Sequence, residues 1–251
     1  MSLKLATLQM SIGESAEDNL RKALCLIEPV GRDTLLLLPE LFFCGFDYDR
    51  MEEFSRMSGY VIEALSEVSR EKGALVCCTV PEKTPKGIEN TAILIDKGEV
   101  IGKRSKIKLF PPFQEDKHFV PGSENPLFMT RFGKVGVLVC FELRFPELVL
   151  KLWKEGVDIL LVPAQWGYER KEHLRVLSRG RAIELQSYVI VSNTWNEHRG
   201  IHFAGGSSIH SPWGEVLAFS ERGDTLLQTT YDPSLPAQVR ELLPCRFKIE
   251  S

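Results

Sequence analysis

Hydrophobic positions follow two different spacings along this chain, and together they predict an α/β fold. Runs of four to six consecutive apolar residues indicate strands that are buried on both faces, as in parallel sheets. Segments with apolar residues at every third or fourth position lie between these runs and indicate helices. The predicted strands are 4–10, 33–40, 74–80, 90–95, 99–103, 135–139, 158–163 and 188–193, followed by a hairpin over 205–218. The predicted helices are 15–28, 60–72, 145–156 and 169–186.

The segment 133–150 is the most informative, because a buried strand runs directly into a cysteine and then into a helix. Cys140 follows the apolar run 135–139, and Pro146 suits the first turn of a helix. Open α/β sheets bind ligands at the C-terminal ends of their strands. A thiol placed between a strand end and free helix N–H groups is expected to have a lowered pKa. We therefore interpret Cys140 as an activated nucleophile, with an inert core cysteine as the alternative.

Charged residues also stand at two other predicted strand ends. The strand over 33–40 ends at Glu40, and the next segment, 41–46, is too apolar for a solvated loop. Lys106 and Lys108 follow the predicted hairpin, and strand alternation places both on the same face. Such residues are most often solvated surface charges. Here their positions favour a different interpretation, in which Glu40 and one of the lysines point into a cleft.

Composition and charge exclude several classes of protein. A net charge of −3 over 251 residues offers no basic surface for nucleic acid. No apolar run approaches the roughly 20 residues of a membrane helix, and the N-terminus does not resemble a signal peptide. The cysteines and histidines lack the spacing of a metal site, and no phosphate-binding glycine loop occurs, so we expect neither a metal nor a cofactor. The six scattered cysteines favour the reducing cytoplasm.

Glu40, Lys106 and Cys140 stand in segments that resemble motifs of the nitrilase, or carbon-nitrogen hydrolase, superfamily. The resembling segments are LLLLPELFFCGF, KIKLF, EDKHFVPG, CFELRFPEL and RAIELQSYV. The resemblance spans nearly the whole chain and is strongest to the short amidase branch with ω-amidases and deaminated-glutathione amidases. It implies a four-layer α-β-β-α sandwich with two mixed β-sheets, assembled as a homodimer or larger through the helical face. We expect one domain over 1–251, with an extended C-terminal arm from about residue 229.

The same resemblance implies a Glu-Lys-Cys triad of Glu40, Lys106 and Cys140, with Glu115 as a second glutamate that positions the lysine. Lys108 occupies a position where the family commonly has histidine, and a cationic side chain there could hold a substrate carboxylate. The residues expected to contact the substrate are Phe141, Gln165, Trp166, Phe113 and Lys108.

The function implied is hydrolysis of a small carboxamide through a thioester on Cys140, with only the amide substrate and water as partners. Three alternatives remain open from the sequence. The same triad could cleave an N-carbamoyl amide or a nitrile. The chain could be a non-catalytic binding or scaffold protein, since one fold serves many functions. It could also be a Cys-His hydrolase that uses His173 or His210 as the base.

Overall fold

The computed structural model describes residues 2–245, which form two six-stranded sheets, a two-stranded ribbon and six α-helices. The strands are β1 (Lys4–Gln9), β2 (Thr34–Leu37), β3 (Leu75–Thr84), β4 (Gly87–Asp96), β5 (Glu99–Ser105), β6 (Phe128–Thr130), β7 (Gly133–Val137), β8 (Ile159–Ala164), β9 (Tyr188–Asn193), β10 (Trp195–His198), β11 (Ile201–Ala204), β12 (Ser207–His210), β13 (Val216–Ser220) and β14 (Thr225–Thr230). The helices are α1 (Ala16–Leu26), α2 (Met51–Lys72), α3 (Glu115–His118), α4 (Pro146–Glu155), α5 (Lys171–Leu185) and α6 (Leu235–Leu242).

Both large sheets are mixed, and each has three parallel strands at its centre. The first sheet has the order β14-β1-β2-β3-β4-β5, in which β1, β2 and β3 are parallel. The second has the order β13-β12-β9-β8-β7-β6, in which β7, β8 and β9 are parallel. The remaining neighbours in each sheet pair antiparallel. The parallel strands carry their C-terminal ends, and therefore their ligand-binding ends, to one edge of each sheet.

Alternating leucines in β2 show how the layers are packed. Leu35 and Leu37 belong to a buried cluster that includes the strands of the second sheet and residues of α4 and α5. Leu36 and Leu38 point the other way, into a cluster with α1 and α2. A strand that is apolar at every position can serve two cores at once, because successive side chains point to opposite faces. The predicted four-layer α-β-β-α sandwich is thereby confirmed.

Helix α2 begins nine residues earlier than the sequence indicated. We expected a helix over 60–72, whereas the structure has it from Met51. Met51 and Phe54 are buried on the same face as Val61, so the apolar stripe continues through the polar residues that obscured it. Within residues 2–245, no helix is both long and apolar enough to cross a lipid bilayer.

The C-terminal region differs from the extended arm that we expected from about residue 229. Strand β14 pairs antiparallel with β1, and α6 follows it with Pro236 in its first turn, where proline is well tolerated. Arg240 of this helix forms an ion pair of 2.9 Å with Asp158, the residue before β8, so that α6 contacts the second sheet. An extended conformation is therefore wrong for α6, and residues 246–251 of the predicted arm lie outside the described residues.

Candidate active site

Cys140 lies at a sharp corner just after β7. Its backbone has φ of 50°, in the left-handed region that is unfavourable for residues other than glycine. It begins a 3₁₀ turn that runs to Arg144, and α4 starts only at Pro146. The helix thus begins where the sequence predicted, and the 3₁₀ turn separates its N-terminus from the thiol.

The pKa of the Cys140 thiol is raised well above its ordinary value, mainly because the side chain is buried and secondly because of the negative charge of Glu40. The charge of Lys106 and the backbone N–H of Gln165 act in the opposite direction and do not compensate. The predicted lowering of this pKa is thus wrong. A buried thiol of this kind is neutral at pH 7 and needs a base to become a nucleophile.

Glu40 follows β2 and is completely buried. Its Oε1 atom accepts hydrogen bonds from Lys106 Nζ at 2.8 Å and from Asn90 Nδ2 at 2.8 Å. Its Oε2 atom accepts one from the backbone N–H of Gln165 at 3.1 Å. Donors from both sheets therefore fix the orientation of this carboxylate, since Asn90 lies in β4 and Gln165 follows β8.

Lys106 lies between two carboxylates. Its Nζ atom is 2.8 Å from Glu40 Oε1 and 2.8 Å from Glu115 Oε1, and the side chain is fully buried. Burial alone would lower the pKa of the lysine, but Glu115 and Glu40 outweigh it and raise that pKa. Lys106 is therefore a permanent ammonium group. Glu115 is also held by the Phe110 backbone N–H at 3.1 Å, and burial raises its pKa to about 7 against the influence of Lys106.

A narrow cleft opens beside Cys140 and Glu115. It is lined by Phe110, Phe113, Glu115, Cys140, Phe141, Arg144, Gln165, Trp166, Gly167 and Arg170. Four of the five residues that we expected to contact substrate are therefore at the cleft. Lys108 is not, because its Nζ forms an ion pair of 2.9 Å with Glu147 and lies over the ring of Phe145.

Two arginines supply the positive charge that we had assigned to Lys108. The Arg144 guanidinium lies 4.6 Å from the Trp166 ring, and that of Arg170 lies 5.4 Å from the Phe110 ring. Burial and the nearby charge of Arg170 lower the pKa of Arg144. Within residues 2–245, Arg144 forms no ion pair, and Arg170 has only Glu169 at 3.6 Å. The sequence contained a signal for Arg144, since it belongs to the cysteine motif CFELRFPEL.

Neither candidate histidine lines the cleft. His173 Nδ1 lies 3.0 Å from Arg144 Nη2 on an exposed part of α5. His210 is buried in β12, where its Nε2 atom contacts Ser178 Oγ at 3.2 Å and Ser208 Oγ at 2.9 Å. A Cys-His arrangement with Cys140 therefore has no geometric support. The part of the chain that the structure describes contains no cluster of three or more side chains suited to hold a metal ion.

A buried Glu-Lys-Cys grouping below a cleft on a four-layer sandwich defines the class of protein. The family model of the carbon-nitrogen hydrolases matches residues 4–241, and the chain belongs to this family, which is part of the nitrilase superfamily.

Individual relatives agree with this assignment. The 2-oxoglutaramate amidase of Bacillus subtilis (strain 168) is 31% identical over 239 residues, which cover 94% of this chain and 92% of the relative. Omega-amidase NIT2 of Xenopus tropicalis is 30% identical over 257 residues, and the match covers 97% of this chain and 93% of the relative. The crystal structure of Saccharomyces cerevisiae Nit3, a member of branch 10 of the nitrilase superfamily, is 26% identical with a TM-score of 0.88, covering 100% of this chain and 97% of that one.

Proposed function

We propose that this protein hydrolyses a small linear carboxamide to the carboxylic acid and ammonia, with Cys140 as the nucleophile. The observation that carries the proposal is the buried contact of 2.8 Å between Lys106 and Glu40 beside the Cys140 corner. A base and a cation in contact at this corner support the proposal, because a neutral thiol needs both to react. Family membership and the amidase names of the relatives support amide hydrolysis as the reaction.

In the first step, Glu40 takes the thiol proton while the Cys140 sulfur attacks the amide carbonyl. The new C–S bond pushes the carbonyl electrons onto oxygen, which becomes an oxyanion. The ammonium of Lys106 and the backbone N–H of Phe141 donate hydrogen bonds to that oxygen. Losing one such donor typically costs about 100- to 1000-fold in rate. Glu115 holds Lys106 in position through their 2.8 Å contact.

The same carboxyl group then serves the later steps. Glu40 returns its proton to the amide nitrogen, the C–N bond breaks, and ammonia leaves a thioester on Cys140. Glu40 next removes a proton from water, which attacks the thioester. When the second tetrahedral intermediate collapses, the sulfur leaves and regains its proton from Glu40. The sum is one amide and one water converted to one acid and one ammonia.

We further propose that the preferred amide carries a carboxylate at its other end. Arg144 and Arg170 both line the cleft, and the positive charge of Arg170 acts on Arg144. An anionic group between two guanidinium groups gains charge-assisted hydrogen bonds and relieves their repulsion. The names of the relatives, an omega-amidase and a 2-oxoglutaramate amidase, are consistent with monoamides of short dicarboxylic acids.

Ammonia release from succinic monoamide and from neutral butyramide tests this substrate class. We expect Arg170→Gln to raise the KM for the acidic amide about 10- to 100-fold, which corresponds to one charge-assisted hydrogen bond. The KM for butyramide should stay unchanged. Lys171→Gln is the matched control, because Lys171 is the adjacent cation and lies outside this cleft. Equal changes for both amides would refute carboxylate recognition.

The assignment of the catalytic groups is tested by Cys140→Ser and Lys106→Ala, each expected to lower kcat at least about 100-fold. Cys25→Ser is the control, because that thiol is exposed and distant in sequence. Loss of activity in His210→Asn but not in Lys106→Ala would instead support the Cys-His alternative. Parallel assays with an N-carbamoyl amide and a nitrile, with carbon dioxide measured alongside ammonia, test the other bond types. A correctly folded protein inactive on all three would support a scaffold role.

We also propose a homodimer formed through the helical face, in a cytoplasmic protein. Leu150 of α4 and Val176 and Ile183 of α5 are exposed apolar side chains on that face. Such groups are typical of surfaces that associate. All six cysteines are free thiols, which suits a reducing compartment. A monomer in sedimentation velocity would contradict the homodimer. Recovery of the protein outside the cytoplasmic fraction would contradict the cytoplasmic location.

A further inference from the structure

We propose that the buried ion pair between Arg104 and Glu142 is a positioning device that sets the distance between Lys106 and Cys140. This inference rests on the proposed function, in which Lys106 must reach the oxyanion formed at Cys140. Neither Arg104 nor Glu142 lines the cleft, so both act through their neighbours.

The Glu142 carboxylate receives five hydrogen bonds from two separate segments of the chain, residues 104–108 and Val139. Arg104 donates from both terminal nitrogens, with Nη2 2.8 Å from Oε1. The backbone N–H groups of Ile107 and Lys108 donate to Oε1 at 2.6 and 3.2 Å. The backbone N–H of Val139 donates to Oε2 at 2.7 Å. The side chains of Arg104 and Glu142 are both fully buried.

The pair connects the two sheets next to the reactive groups. Arg104 lies in β5 at the edge of the first sheet, two residues before Lys106. Glu142 lies in the turn after β7 of the second sheet, two residues after Cys140. Two-residue spacing along an extended segment keeps Arg104 and Lys106 on the same side of the strand. A short and rigid path therefore runs from the lysine through the ion pair to the cysteine.

Glu142 also closes the turn that holds Cys140 in its unfavourable backbone conformation. Its own N–H donates to the Val139 carbonyl at 3.1 Å, while its carboxylate accepts from the Val139 N–H. A left-handed residue other than glycine costs about 1–3 kcal/mol and persists only where its surroundings hold it. Glu142 therefore holds Val139, the residue before Cys140, through both its N–H and its carbonyl group.

Stability alone is a weak explanation for this arrangement. Replacing a buried ion pair by uncharged groups of similar volume is often neutral or even stabilising. Catalysis is more demanding, because misplacing a reacting group by about 1 Å can cost about 100-fold in rate. The ion pair is therefore better explained by the placement of Lys106 and Cys140 than by the energy of the fold.

The double variant Arg104→Met/Glu142→Gln tests this inference. It removes both buried charges at similar volume. A glutamine at position 142 has only one acceptor oxygen, so it cannot accept both from the Ile107 and Lys108 N–H groups and from the Val139 N–H. We expect the variant to fold with a lowered unfolding temperature, because a buried N–H loses its acceptor, and with kcat on succinic monoamide lowered about 100-fold and KM changed less than threefold. A second variant, Glu142→Asp, keeps the charge, shortens the reach and should lower kcat in the same way.

Asp33→Asn provides the matched control. Asp33 pairs with Arg131 at 2.9 Å and so joins the two sheets at the opposite end, before β2. This variant should lower the unfolding temperature and leave kcat unchanged. A double variant with wild-type kcat, or an equal loss of kcat in Asp33→Asn, would overturn the inference.

Alkylation by iodoacetamide separates failure of this inference from failure of the proposed function, because it needs no amide substrate. We expect the ratio of the Cys140 and Cys25 alkylation rates to change about tenfold in the double variant. An unchanged ratio would refute the positioning role even if the wild type hydrolysed no amide. A wild type without amidase activity but with the altered ratio would refute only the proposed function.

Discussion

Burial keeps the Cys140 thiol protonated, and this determines how a nucleophile can be generated. The thiol lies near Glu40 and Lys106, and the negative charge of Glu40 raises the pKa of the thiol further. A preformed thiolate would need a net positive surrounding, which the two carboxylates around Lys106 prevent. The proton must therefore leave during the attack rather than before it.

This leads to a prediction for the reactivity of the free enzyme. The rate of Cys140 alkylation by iodoacetamide should rise steadily from about pH 6 to about pH 9, because the thiolate is the reacting form and only a small fraction is ionised. Peptide mass spectrometry after timed quenching would measure it, with exposed Cys25 as the internal standard. A constant rate from pH 6 upward would show a thiolate of low pKa and contradict our description.

The sequence allowed some residues to be predicted and not others. Glu40 and Cys140 stood out because each ends a strand that is apolar at nearly every position. The direction of the Cys140 pKa shift could not be predicted, since it depends on burial and on charges 100 residues away in sequence, such as Glu40. The position of Lys108 outside the cleft could not be predicted, because Glu147, its ion-pair partner, lies on a different element.

At the scale of elements, the joint between the β10–β11 ribbon and the second sheet supports one wall of the cleft. The Ala204 backbone N–H donates to the Trp166 carbonyl at 2.8 Å, and Asn193 Nδ2 donates to the Gly205 carbonyl at 2.6 Å. Asn193 Oδ1 also accepts from the Trp166 N–H at 2.7 Å. The ribbon and Trp166 therefore share one hydrogen-bond network.

Gly205 is the position in this joint that tolerates no side chain. Its φ is +59°, and a Cβ atom would lie 2.0 Å from the Glu221 carbonyl oxygen. Gly200→Ala is a matched control, because Gly200 has φ of +75° but open space around it. We expect Gly205→Ala to lower the free energy of unfolding by about 2 kcal/mol more than Gly200→Ala does, since only the former adds a clash. Urea denaturation of both variants measures the difference, and equal losses would contradict it.

Element boundaries were predicted well where a clear local signal exists. Strand β9 has the predicted ends. The turn between β4 and β5 has positive φ at Lys97 and Gly98, and glycine suits such a position. The start of α2 was missed because Gly59 and several polar residues interrupt its apolar stripe. Tertiary packing of Met51 and Phe54 decides that boundary, and packing is not visible in local sequence.

For the whole molecule, hydrophobic periodicity predicted an α/β protein but not the two facing sheets. The pairing of β1 with β14 joins Lys4 to Thr230, and no local pattern encodes a contact over that separation. The four layers came instead from the resemblance to a family, carried by motifs near three strand ends. Periodicity thus indicated which residues are buried. The resemblance indicated which layers these residues pack against.

Global stability should depend on pH through His210, which is 2% exposed. Burial first, and then the charge of Arg179, lowers the pKa of this histidine to about 4 from 6.5. Its contribution to stability is present above about pH 6.5 and is lost as the pH falls toward 4, because the unfolded state binds the proton more tightly. The loss should reach about 3 kcal/mol. The stability advantage of the wild type over His210→Gln should therefore shrink between pH 6.5 and 4 in urea titrations, and a constant difference would contradict this.

The most direct test of the central claim is the mass of the peptide that contains Cys140 after acid quenching during turnover of succinic monoamide. We expect that peptide to gain the mass of the amide less ammonia, as a hydroxylamine-sensitive thioester absent from Cys140→Ser. Steady ammonia release with an unmodified Cys140, or with the acyl group on another residue, would contradict the account.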